Sequence, residues 1–298
     1  MRRPRIIWPH PAVSIVLATA LLAASYLLIV KAANPAPAVP QGWHPCYGDP
    51  GGTSTPSVAT LDAVDRLQKL ADTIATTSAD GKDPEDYRYS TVHRQFWIVV
   101  DGMVEPSEDT LWRAADGSGR TDERRLPARP DPDRFPDVAE RQRLSAAPAT
   151  TQTYPRPDGG VLAAAVAEPV PTNPAALADA IFDARETYCN NTLLFEAFVQ
   201  LSQLHYLNRA ARAAALRMLA TVPGIAYDGI ARDLLGRTGW SFTLTQPLTR
   251  RTIMLDPRTG RLLIATTSSS VTGTQQLCDY LLLLATDRTR TPGQPPDP

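Results

Sequence analysis

Hydrophobic residues occur in three distinct patterns along the chain, and each predicts a different element. The first is a run of nineteen residues, Ala12 to Val30, with no charge and no proline. It is just long enough to cross a bilayer as one helix. Arg2, Arg3 and Arg5 precede it, and positive residues in a short leading tail favour the cytoplasmic side. The expectation is a cytoplasmic tail at 1–11, a transmembrane helix at 12–30 and everything later outside the cytoplasm. A cleaved signal peptide is the rival reading, with Ala32, Ala33 and Ala36 as small residues near a cleavage site. Both readings export the remainder.

A spacer rich in Pro, Gly, Ser and Thr follows over 31–57. The second pattern then begins. Val58, Leu61, Val64, Leu67, Leu70 and Ile74 recur every three or four residues, as on one stripe of an amphipathic helix. The third pattern is alternation: Tyr87, Tyr89, Thr91, His93, Gln95, Trp97 and Val99 share one face of a predicted strand. Leu111–Ala115 and Thr121–Arg125 flank Asp116-Gly117-Ser118-Gly119, which suits a hairpin. A phosphate loop does not fit there, since no Lys-Ser/Thr follows.

Ten prolines lie between Leu126 and Pro174, against two between Val58 and Arg125. Residues 126–171 therefore read as an irregular excursion from the sheet. Asn173-Pro174 opens a helix as cap and first turn, a second starts near Asn190-Asn191, and a third spans Arg209 to Thr221. Strands return from Ile225, with Trp240, Phe242 and Leu244 on one face. Asp256-Pro257-Arg258-Thr259-Gly260 has the residues of a hairpin turn. Leu277–Ala285 is apolar on both faces, as in a central strand, and residues 291–298 read as a disordered tail. The predicted fold class is α+β: a transmembrane helix, then an exported domain at 58–290 with a curved antiparallel sheet and helices packed on one face.

Composition narrows the functional classes. Without the three tail arginines, 27 basic face 31 acidic residues, a net −4 with no block of like charge. Nucleic-acid binding therefore has no electrostatic footprint. Cys46, Cys189 and Cys278 are the three cysteines. Cys189 and Cys278 fall in segments predicted to be ordered and form the candidate disulfide, against the alternative that none forms.

Several strings recur together: Leu111-Trp112 leading into Asp116-Gly117-Ser118-Gly119-Arg120, Arg212-Ala213-Ala214-Ala215-Leu216-Arg217, Pro223-Gly224-Ile225, Gly236-Arg237-Thr238-Gly239 and Asp256-Pro257-Arg258-Thr259-Gly260-Arg261-Leu262-Leu263. In this set the chain resembles an uncharacterised actinobacterial family of single-pass membrane proteins that accompany extracytoplasmic-function sigma factors. The resemblance covers Tyr87 to Thr286 and implies an outer domain like the sheets of lipoprotein carriers and sigma-regulator sensors. It carries no catalytic residue. The tail at 1–11 is too short to form a sigma-binding domain, which is a departure from full anti-sigma factors.

No motif announces an enzyme, a cofactor or a metal. His10, His44, His93 and His205 lack ligand-spaced partners, no nucleophile elbow or His-Glu-x-x-His pair occurs, and Asp80, Asp83, Glu85 and Asp86 read as a solvated loop. Arg237, Arg250, Arg251, Arg258 and Arg261 gather in the last hairpins, as strand-edge charges or as an anionic-lipid contact. Trp97, Trp112 and Trp240 are the candidate lining of an apolar groove, on the condition that they share one face of the sheet. The expected class is an anchored binding or sensory module, with the cell membrane and an envelope protein or lipid as partners. The alternative is a carrier of a hydrophobic ligand.

Overall fold

The computed structural model describes residues 58–77, 86–130, 134–154, 166, 168–185, 191–269 and 276–296. The predicted span Ala12–Val30 lies outside them; among the described residues no helix is long and apolar enough to cross a membrane. Nine strands form one antiparallel sheet: β1 (Tyr89–Val100), β2 (Met103–Arg113), β3 (Gly119–Arg125), β4 (Thr150–Tyr154), β5 (Ile225–Arg232), β6 (Thr238–Thr245), β7 (Thr249–Leu255), β8 (Leu262–Ser269) and β9 (Gln276–Thr289). Their spatial order is β4-β3-β2-β1-β9-β8-β7-β6-β5. The two β-rich thirds of the sequence are thus joined by β9, which pairs with β1 on one side and β8 on the other.

Position explains composition in β9. A strand flanked on both sides and covered on both faces must be apolar on both. Leu281 and Leu283 face one core, while Leu277, Tyr280 and Leu282 face the other.

The larger core lies under α1 (Val58–Thr76), α3 (Pro174–Arg185), α4 (Asn191–Leu204) and α5 (Arg209–Leu219). The α5 helix packs against the other three. Its buried positions include Ala211, Ala213, Ala214 and Ala215, so neighbouring backbones can approach closely. Asn173 caps α3 by accepting from the Ala175 and Ala176 amides, as its sequence predicts. Asn208 caps α5 in the same way through the Ala211 amide.

Two expectations need correction. Residues 126–171 are not uniformly irregular: they contain α2 (Val138–Ala146) and β4, which extends the sheet beside β3. Asp137 accepts from the Glu140 amide and starts α2 despite the surrounding prolines. Nor do the helices occupy one face. Leu144 of α2 joins Trp97, Val104, Leu277, Tyr280 and Leu282 in a second, smaller core on the opposite face. The tail also turns back, and the Gln294 carbonyl accepts from the Trp112 indole at 2.7 Å.

The β7–β8 turn forms as its residues dictate, with Asp256 accepting from the Arg258 amide and Gly260 at φ +65°. A Cβ on Gly260 would lie 2.3 Å from Ile74 of α1 and 2.8 Å from Leu216 of α5. Gly260→Ala therefore combines a left-handed backbone with a steric clash. The expected cost is about 2–4 kcal/mol, measurable as a lower denaturation midpoint.

Candidate functional site

The three candidate tryptophans do not share a face. Trp97 of β1 is fully buried in the smaller core and meets Tyr280 edge to face, centroids 5.7 Å apart. Trp112 pairs in register with Thr91 on that same face and is sealed by the Gln294 carbonyl. Trp240 packs on the opposite face, against the larger core beside Tyr227, with the Arg66 guanidinium 5.4 Å from its ring. A groove lined by all three is therefore not formed. Alternation holds for Trp97 in β1 and for Trp240 and Phe242 in β6, but the phase between the two strands is set by strand order and bulges that sequence does not reveal.

Cys278 is a free, half-buried thiol on β9, and its candidate partner Cys189 lies outside the described residues. Asp80, Asp83, Glu85, His10 and His44 also lie outside them. Among the described residues no three His, Cys, Asp or Glu side chains gather as a metal site requires.

The remaining histidines each meet a carboxylate from outside their own strand or helix. On the α2 face, Glu108 of β2 is buried between His93, Gln95, Arg124 and Ser145. His93 Nε2 lies 3.1 Å from Glu108 Oε1, and Ser145 Oγ of α2 donates to Glu108 Oε2 at 2.7 Å. Serine, carboxylate and histidine are all present, but the carboxylate is in the middle. Activation of a hydroxyl needs the histidine there. Burial works against ionisation of Glu108, yet hydrogen bonds from His93, Ser145 and Gln95 outweigh it and hold its pKa at about 2. So stable an anion is a poor base, and its evident role is to hold α2 to the sheet.

The second cluster lies on the other face, where α4 runs into α5. His205 is buried against Arg113 of β2, and the guanidinium donates to the ring at Nδ1. Because arginine cannot accept a hydrogen bond, that nitrogen must present its lone pair. Glu168 completes the group, with Oε1 3.5 Å from both Arg113 and His205 and Oε2 3.0 Å from Arg288 of β9. Burial lowers the His205 pKa and Glu168 only partly restores it, while Arg113 and Arg288 lower it further. For Glu168, burial is overcome by His205, Arg288 and Arg113, and its pKa falls to about 2. Neighbouring Ser90 accepts from the Tyr206 amide.

Acid should weaken this domain in two stages. His205 has a folded pKa below its ordinary 6.5, so the unfolded chain protonates first and stability declines as pH falls through that value. Glu108 and Glu168 are held near 2 against an ordinary 4.5, so their stabilisation is complete above about pH 4.5 and is lost toward pH 2. Urea midpoints measured from pH 8 to pH 3 should show both stages, and His205→Asn should remove the upper one.

Two small cavities flank His205. One, of about 10 Å3, is lined by Val166, Ile181, Ala197, Gln200, Leu201 and Leu204 as well as the imidazole. The other, of about 20 Å3, lies between the α4–α5 junction and the β7–β8 hairpin. Each holds about one water-sized body.

The clustered arginines of the last hairpins are mostly committed to carboxylates. Arg237 pairs with Asp233, Arg250 with Asp228, Arg251 with Glu196 and Arg258 with Asp256. Arg261 has no carboxylate partner among the described residues, and its guanidinium lies 6.0 Å from the Tyr206 ring. A scan against protein-family models and a search of curated proteins return no match for this chain.

Proposed function

We propose that this chain is a membrane-anchored extracytoplasmic module that binds or senses through its surface, in envelope signalling associated with a sigma factor. The observation that carries this reading is the close packing of the larger core among the described residues. The helices and sheet close on each other along the larger core, and the cavities of about 10 and 20 Å3 cannot admit an acyl chain. A carrier of hydrophobic ligands needs a concave apolar site of roughly 300–1,000 Å3. The uncharged run Ala12–Val30, led by three arginines, supports the anchor and its orientation. The resemblance in the Leu111–Arg120 and Asp256–Leu263 strings supports the signalling context.

Two measurements on the full-length chain test this. A reporter active only outside the cytoplasm, fused after Pro298, should give signal; silence would overturn the topology. Native mass spectrometry from detergent should find the protein at its own mass, whereas a stoichiometric lipid retained on detergent exchange would favour the carrier.

A further inference from the structure

We propose that the cleft between the α4–α5 junction and the β7–β8 hairpin binds a small anion, either chloride or the terminal oxygens of a phosphate or carboxylate, with the Arg261 guanidinium as its principal contact. This goes beyond the surface-binding reading and does not depend on it, since it concerns an interior contact of the folded domain.

Four observations support the site. First, the lining is cationic and rich in donors: Ser202, His205, Arg212, Arg261 and Thr286 contribute to it, and no carboxylate does among the described residues. Second, the Arg261 Nε is buried and has no hydrogen-bond partner. A buried guanidinium donor left unmade is costly, and an anion in the cleft satisfies it. Arg237, Arg250, Arg251 and Arg258 each pair with an acid, so Arg261 departs from that pattern.

Third, the carboxylate beside the cleft is already engaged. Among the described residues Glu168 neighbours His205, lies outside the cleft's lining, and holds Arg113 and Arg288 with its oxygens. Arg288 also approaches the Tyr206 ring, at 5.9 Å, from which Arg261 is 6.0 Å away. Asp287 is not part of the lining either. It pairs in register with Thr91, on the strand face opposite that of Ser90, whose hydroxyl meets Tyr206. Fourth, Arg212 lies in the first turn of α5, where unpaired amides leave partial positive charge. The rest of the lining is apolar, including Phe198, Leu262 and Leu283. Poor hydration there strengthens the attraction between an anion and these cations. A volume of about 20 Å3 admits a halide or one terminus of an oxyanion and excludes anything bulkier.

The test is calorimetric titration of the full-length chain in non-ionic detergent, with sodium chloride and sodium phosphate added separately at matched ionic strength. Saturable one-site binding of at least one salt is expected, with affinity reduced at least tenfold in Arg261→Gln. Chloride binding without phosphate identifies a halide site, and the reverse identifies an oxyanion terminus. Thr286→Leu keeps both arginines while filling the cleft from the β9 side, so it should also abolish binding. It carries the test if Arg261→Gln fails to fold. Absence of saturable heat for both salts, or equal affinity in a folded variant, overturns the site.

Discussion

Replacing Glu168 with glutamine should lower the melting temperature by about 6–20 °C, which corresponds to a loss of about 3–5 kcal/mol. The substitution preserves shape and removes one charge, so packing is unchanged. What it leaves is Arg113 and Arg288, largely withdrawn from solvent, without their shared carboxylate. Breaking a buried ion pair from one side costs more than the pair contributes when intact, because the remaining charge cannot be rehydrated. Arg113 shows the strain most, since burial already lowers its pKa and Glu168 is what offsets that. The variant should also lose the lower stage of acid weakening attributable to Glu168. A melting temperature within 2 °C of the parent's, with an unchanged acid profile, would show that the cluster is energetically idle.

Trp97→Ala should cost about 3–5 kcal/mol and act chiefly on one helix. The ring is fully buried in the smaller core, where it meets Tyr280 and shares the cluster with Leu144, the one buried apolar residue of α2. That core has few members, so losing its largest side chain leaves α2 held mainly by polar contacts, from Ser145 to Glu108 and Gln95 and from Glu140 to Arg129. Trypsin should therefore cleave at Arg141 and Arg143 faster in the variant, while the larger core on the opposite face keeps its helices. Uniform acceleration at all sites would mean that the two faces of the sheet do not open separately.

Several elements were legible because local rules decide them. The stripe from Val58 to Ile74 can bury only one face, Asn173-Pro174 can only begin a helix well, and the Asp256–Gly260 turn has each residue where its φ demands. Asp101-Gly102 was equally legible and was missed. The pair turns β1 into β2 with φ of 50° and 76°, a standard two-residue hairpin signal. In α2, Asp137 and Glu140 carry a capping pattern that the proline count obscured.

The His205 cluster was less legible, because its members are far apart in sequence. Arg113 and His205 meet only after strand order and helix packing are fixed, whereas His93 and Glu108 lie across the β1–β2 hairpin and follow from its register. Periodicity tells which residues of a strand share a face but not which strand lies beside it. For that reason Trp240 could be paired on paper with Trp97, although the sheet separates them.

The central place of β9 also bears on how the protein is made. The strand that joins the two halves of the sheet is the last of the nine described strands to leave the ribosome. Until Gln276–Thr289 has emerged, β1 and β8 each present an unpaired edge, and the ion pair between Arg288 and Glu168 cannot form. Closure must then span nearly two hundred residues between Tyr89 and Thr289, a slow topology for a nascent chain. A chain truncated before residue 276 would not be a slightly shortened protein. It would retain two open strand edges, each a template for association with another copy.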